Sequence, residues 1–477
     1  TLDKNDLTVN LTGFGAITSN TPFDVLVTGS GILENGGASW STFVDENNIL
    51  PISHTVDVMP AGTILNFYYE GNKLYGKFTV LGGGSEGAFG TNPNAMGELV
   101  GNTPTSGDSQ KIRNQLLAED DLVKRDQMVQ QFTPSMAAAN VAQMEQVHSQ
   151  ILEQVAQRIV IPWQSGLSNK KILRGQNYYY APRYRVRYAG APDAAWFQTF
   201  GYSAQQEARR NSAVAATPFA GYEGNGWGFS FGFDKKLSND SLLLGLAFAY
   251  TNNDLNSTPF VSGSLAPANV QTETYTMLGY GVMKTGRKTF VACKAGGTWA
   301  EVEGLRHPFI NDPTLYTYET NSTSWFAQMT LGWNWIERPV WSITPKARLA
   351  CFGYNQDAFT ENRGVGVTSG EVGAFANSYT KFDLVADTSV SLSATATFDL
   401  SIGYRGLVGA EGAALTSQAD GLTYQVNGIA TASHLLLLDL GGAWSPSEGL
   451  TLVGEYNFRA GEGGLLNGGT ATLVMAF

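Results

Sequence analysis

From about residue 194 onward, large apolar side chains recur at every second position, and the positions between them are small, hydroxylic or charged. Phe229, Phe231 and Phe233 alternate with Gly228, Ser230, Gly232 and Asp234. Leu242, Leu244, Leu246, Phe248 and Tyr250 alternate with Leu243, Gly245, Ala247 and Ala249. Phe382, Leu384, Ala386, Thr388, Val390 and Leu392 face away from Asp383 and Asp387, and Phe398, Leu400, Ile402 and Tyr404 face away from Asp399 and Arg405. Leu450, Leu452, Tyr456 and Phe458 oppose Thr451, Glu455, Asn457 and Arg459. Successive side chains of a strand point to opposite faces, so each run predicts a strand with one apolar and one polar face.

Alternation alone fits a soluble sandwich, with its apolar face in the core, as well as an outer-membrane barrel, with its apolar face in lipid. Length separates them. The runs span roughly ten to fifteen residues, against a usual mode of about 5–6, and about 9–11 tilted residues cross a bilayer. Twelve strands are expected, at 194–204, 219–236, 240–254, 270–285, 287–303, 320–337, 340–356, 378–392, 395–409, 433–445, 449–461 and 468–477. An even count is what up-and-down closure of a single-chain bacterial barrel requires. Short punctuators such as Thr285-Gly286 and Ser445-Pro446-Ser447 alternate with long loops expected near 256–268, 304–317, 357–376 and 411–431, giving one short-turned and one long-looped rim. Trp227, Trp299, Trp325, Trp333, Trp335, Trp341 and Trp444 fall towards strand ends, as an interfacial belt would.

Upstream the period changes. Residues 109–131 are polar and helical in pattern, Thr133 is a candidate N-cap, and Pro134 suits a first helical position. A helix from 134 to 159 would be roughly 39 Å long, enough to thread a membrane-thick pore. Gln143, Gln146, Gln150, Gln154 and Gln157 form one stripe at helical spacing, and Met144, Val147, Ile151 and Val155 form another. Amides bond a wet wall of mixed sign without the desolvation cost of a buried charge, so the glutamines are the candidate pore-helix residues. Alternation turns Asp234, Lys294, Lys346, Arg348, Asp383, Asp387, Asp399, Arg405, Asp439, Glu455 and Arg459 towards that helix as the candidate lumen wall. The last strand carries Leu473, Met475 and Phe477 on its apolar face, the way an outer-membrane barrel ends.

The predicted fold is therefore an all-β membrane protein: a twelve-stranded antiparallel outer-membrane β-barrel, an α-helix in its pore and a small β-rich N-terminal segment. The expected division is 1–81 (β-rich), 82–132 (linker with a helical stretch), 133–161 (pore helix), 162–193 (connector, including the tyrosine-rich Asn177 to Tyr188) and 194–477 (barrel). Composition fits, with 477 residues, 55 glycines, 12% aromatic and 15% charged residues, and a mean hydropathy of -0.12. No run of about 18 apolar residues offers a helical span, so a membrane location rests on the strands. A net charge of -11 argues against a nucleic-acid partner, which needs a clustered basic surface. Cys293 and Cys351 fall on lipid-facing positions two strands apart, too far for a bridge and unlike a zinc site. Residue 1 is Thr with no signal peptide before it, so a processed or truncated product is expected. Gly107-Asp108-Ser109 sits in a glycine-rich linker rather than after a strand, and His54, His148, His307 and His434 are scattered. Neither set makes a catalytic constellation, and no cofactor or metal is expected.

The order of parts resembles a type Va autotransporter. Three stretches carry the likeness: the helix after Pro134 that opens PSMAAANVAQ, the segment Gly221 to Leu237 (GYEGNGWGFSFGFDKKL) with its flanks, and the terminal strand. Residues 53–80 resemble the cap that closes a β-helical passenger. The resemblance implies a bacterial outer-membrane protein that displays its own passenger at the cell surface. It implies assembly by the barrel-assembly machinery and periplasmic chaperones, lipid as the surrounding partner, and a monomer. The sequence departs from the family at the terminal signal, where Met475 replaces an aromatic residue and Thr472 a glycine. Some members cleave the passenger within the helix, and Asn140, its only asparagine, matches no paired-asparagine site. The alternative reading is a free-standing porin with an N-terminal plug.

Overall fold

The computed structural model describes strand segments between residues 9 and 80, residues 115, 116 and 118, the helix Ala139–Val160, and, from Asp193 to Ala476, the strands with parts of their turns. The helix is α1. Twelve long strands follow: β1 (Asp193–Gln206), β2 (Gly221–Leu237), β3 (Leu242–Thr258), β4 (Asn269–Lys284), β5 (Thr289–Arg306), β6 (Tyr316–Trp333), β7 (Trp341–Gln356), β8 (Phe375–Ser391), β9 (Ala396–Val408), β10 (His434–Ser447), β11 (Leu450–Gly461) and β12 (Gly464–Ala476). Each pairs antiparallel with its sequence neighbours, and β12 closes on β1 through Leu473 opposite Phe197 and Thr472 opposite Gln198. Closure leaves no edge unpaired, which is the condition for a sheet to lie in hydrocarbon.

The predicted faces are the observed ones. Phe231, Phe233, Leu244, Leu246, Met329, Leu331, Leu384 and Ile402 are exposed on the outside, while Ser230, Asp234, Leu243, Ala247, Thr330, Asp383 and Arg405 are buried inside. All seven tryptophans of the expected belt are exposed, whereas Trp196 points inward and is buried. Trp299 sits opposite Tyr275 and Thr323, and Tyr275 opposite Tyr250, forming one aromatic row. Trp333, Trp335, Trp341 and Trp444 form another beside the short turns. The ten residues from Thr323 to Trp333 along β6, at about 3.4 Å each and a tilt of about 40°, separate the rows by roughly 26 Å along the axis. That is the height of the apolar band of a membrane barrel.

Two of the expected loops prove to contain strands. Within 357–376, Phe359–Arg363 pairs with Thr368–Val372, and within 411–431, Ala414–Ala419 pairs with Leu422–Asn427. Both hairpins continue the wall beyond the long-loop rim: Tyr316 of β6 pairs with Arg363, and Val372 with Ser417. A buried ion pair explains the first. Arg306 of β5 donates to Glu361 through Nε (2.7 Å) and Nη2 (2.6 Å), and Phe359 stacks on Tyr318 at 4.3 Å. Glycines and serines read as loop while these alternate inward residues read as strand, and at five or six residues the second signal is short.

In the N-terminal region, Pro22–Asp24, Lys73–Val80, Thr63–Glu70 and Ile49–Leu50 form a four-stranded sheet, and Val9–Leu11 pairs parallel with His54–Val56. Thr63–Glu70 and Lys73–Val80 pair antiparallel along their full length, from Thr63 opposite Val80 to Glu70 opposite Lys73.

Candidate functional site

Helix α1 occupies the lumen. From Gln143 to Leu152 every residue is buried, so over this stretch both predicted stripes are covered. Ala, Gln, Met, Glu and Leu favour a helix over its 22 residues, and no glycine or proline interrupts it. At about 1.5 Å per residue it is roughly 33 Å long, comparable to the apolar band. The expected first turn, 134–138, lies outside the described residues.

One side of the helix is apolar. Val147, Ile151 and Leu152 join a cluster whose largest share comes from Trp196 and Phe200 of β1, Leu243, Ala247 and Ala249 of β3, Leu278 and Tyr280 of β4, and Phe290 and Ala292 of β5, and which continues through Phe326, Ala350, Phe352, Tyr379 and Leu407 of β6 to β9 and Val474 of β12. Trp196 lies flat against β2 because Gly232 is there: a Cβ on Gly232 would stand 2.5 Å from the ring. Its Nε1 donates to the Tyr280 hydroxyl (3.0 Å), which donates to Asp234 (3.0 Å). Leu243, Ala247 and Ala249 face inward as the alternation predicts, and with α1 over them this part of the wall is a packed core. The helix excludes water here, so the inner face obeys the rule for a buried sheet rather than for an open channel.

The other side is ionic. Lys381 of β8 donates to Ser149 Oγ (2.7 Å) and lies 3.6 Å from Glu145. Arg405 of β9 reaches Ser149 (3.3 Å) and Glu153 (3.2 Å), and its Nε (2.9 Å) and Nη2 (3.1 Å) donate to Asp383. Arg459 of β11 bonds both Glu153 and Asp439, and Arg348 lies 3.7 Å from Asp383. Lys346 pairs with Asp387, which also accepts from Ser401 at 2.9 Å. Lys294 donates to the Leu152 carbonyl, near the end of the described helix surface. Glu455 accepts weakly from Asn457 (3.5 Å), and Asp399 sits on the inner face of β9 opposite Gly441. The alternating wall charges thus lie inside, and Arg348, Asp383, Arg405, Asp439 and Arg459 meet in one network through Glu153.

Side-chain contacts are described for Gln143, Gln146 and Gln150. Gln143 accepts from Thr272 (2.9 Å) and Gln146 donates to Tyr222 (3.3 Å). Gln150 packs its amide against Gly468, where a Cβ would stand 2.7 Å from Nε2. Gln154 and Gln157 are helical, with side chains outside the described set. The groups that bind the wall hardest are Glu145, Glu153 and His148, none of which the stripe singled out. His148 lies 4.9 Å from the Phe326 ring and 5.5 Å from Phe352, with Nε2 at 3.2 Å from Thr298 and 3.0 Å from Ser324. The available signal was complementarity: two carboxylates in the helix against cations on neighbouring strands. In the terminal strand Leu473 and Met475 face outward and Thr472 and Val474 inward, and Phe477 lies outside the described residues.

A closed twelve-stranded barrel with aromatic rows, an apolar exterior and a helix filling its lumen is an outer-membrane translocator of the plugged type. The autotransporter beta-domain model matches residues 195–457, and the chain belongs to this family. The translocator domain of the autotransporter NalP from Neisseria meningitidis has the same fold, at 13% identity over 72% of this chain and 100% of that one, with a TM-score of 0.50. The transport unit of AIDA-I from Escherichia coli (12% identity, 66% and 96% covered, TM-score 0.43) and the β-domain of the Bordetella autotransporter BrkA (13%, 60% and 100%, TM-score 0.42) are also similar. No curated protein sequence matches the chain. The protein is thus a translocator domain of the bacterial outer membrane, serving the export and surface display of its passenger.

Proposed function

We propose that α1 is the segment left in the pore when export ends, closing the barrel and tethering the passenger outside. The direction of the helix carries the reading. Gln143 and Gln146 bond Thr272 and Tyr222, at the long-loop ends of β4 and β2, while Leu152 meets Lys294 nearer the short-turn rim. The N-terminal end of α1 therefore points towards the long loops and its C-terminal end towards the short-turn rim, where β1 starts. On this reading 1–81 is the end of the passenger, 82–132 a linker, 133–161 the pore helix, 162–193 a periplasmic connector and 194–477 the barrel. The glutamines and wall charges serve to seat the plug, and no catalysis is assigned to the chain.

Leu473, Met475 and Phe477 then act as the assembly signal read by the barrel-assembly machinery after delivery by periplasmic chaperones, with Leu473 and Met475 presented on the outer face of β12. The barrel works as a monomer, since its lumen is filled by its own helix. An epitope inserted near residue 100 should be accessible to antibody on intact cells, and one near residue 170 only after the outer membrane is opened. The reverse pattern would overturn the reading.

A further inference from the structure

Glu145, Ser149 and Glu153 are spaced by four residues and share one helix face. They are met by three cations from three strands, with Arg405 touching all of them: Glu145 at 3.8 Å, Ser149 at 3.3 Å and Glu153 at 3.2 Å. Lys381 takes the outer end of this face and Arg459 the inner end. Glu145 and Glu153 are the only carboxylates between Ala139 and Val160, and both land on cations.

A slip of one turn, about 5.4 Å, removes the match. Sliding inward brings Ser149 or Gln150 to the Arg459 level, and sliding outward brings Ala156 or Gln157. None is charged, so Arg459 would keep only Asp439 in a buried layer, while Arg405 would meet one helix carboxylate, Glu145 or Glu153 carried to the Ser149 level, instead of two. Two neutral features mark the same depth: the His148 ring against Phe326 and Phe352, and the Gln150 amide in the notch left by Gly468. The opposite side, where Val147, Ile151 and Leu152 pack on aliphatic and aromatic residues, holds the helix without such a position-specific match.

We propose that Glu153, seconded by Glu145, is a register stop: a positioning residue that halts the outgoing chain at one depth, so that the barrel wall reads the sequence of its own linker helix. This rests on the plug reading above. Its consequence is that the number of residues held outside is set by where the carboxylate lies in the helix, and moving the carboxylate should move the helix.

The test uses the full chain in the outer membrane. Intact cells are treated with proteinase K, and the first residue of the barrel-protected fragment is read by mass spectrometry, with folding checked by migration of unheated samples. The wild type should give one sharp end. Glu153→Gln combined with Gln157→Glu should seat the helix one turn further out and start the fragment about four residues later. Glu153→Gln alone should spread the end over several positions, and it carries the test should the double variant not fold. A start identical to wild type in the folded variants would overturn the register stop and leave the plug intact. A wild-type fragment that begins after Val160 would sink the plug reading and the stop together.

Discussion

The two halves of the lumen wall hold the same helix by different means. On β1 and β3 to β5 the large inward side chains are Trp196, Phe200, Leu243, Leu278 and Phe290, set among hydroxyls and the cation Lys294, and α1 covers them. On β8 to β11 it is Lys381, Asp383, Arg405, Asp439 and Arg459, joined to Glu145 and Glu153. Apolar burial is non-directional and scales with area, so the first half supplies adhesion over many positions. Buried ion pairs give little net stability but strongly penalise a missing partner, so the second half supplies position. A translocator that must first pass a chain and then stop it needs both, and a lumen uniformly of either kind would either let the helix slide or bind it weakly.

Substitutions on α1 can break this comparison, read as the open-state occupancy of single barrels in planar bilayers, where each tenfold rise is about 1.4 kcal/mol. The largest effect is expected from Ile151→Asp, which sets an unpaired charge in the apolar half and should cost about 3–5 kcal/mol of plug seating. Glu153→Ala should cost about 2–4 kcal/mol, because Arg405 and Arg459 lose the group that links them. A larger effect for Glu153→Ala than for Ile151→Asp would reverse the division of labour. His148→Ala should cost about 1–2 kcal/mol, the aromatic contacts and the bonds to Thr298 and Ser324 together. Gln150→Leu, of similar volume and packed against the Gly468 notch, should change seating by less than about 1 kcal/mol. A separate assay tests the seam: Leu473→Asp or loss of Phe477 should lower the amount of heat-modifiable barrel, and normal insertion of both would remove the terminal-signal role.

The barrel was legible because its strands are long and two-faced. The run expected at 340–356 is Trp341–Gln356, and that at 395–409 is Ala396–Val408. Alternation told which way Asp383 and Arg405 point, since that depends only on the pleat. It could not tell what covers the inner face. Leu243, Ala247 and Ala249 were assigned inward, yet only the helix position turns that side from channel lining into core. The glutamine stripe drew notice by its regularity, while Glu145 and Glu153 are two letters whose meaning lies in Lys381, Arg405 and Arg459, more than two hundred residues away. The outer hairpins were lost for the opposite reason, being too short for their period to stand out from their glycines.

Conductance tests the central claim that α1 closes the barrel. The full chain in a planar bilayer should stay closed for most of the record, and deletion of residues 134–161 should open a steady pore about a nanometre wide. Equal, steady conductance from both would mean that the helix does not close the lumen, and would return the protein to a porin with a plug elsewhere.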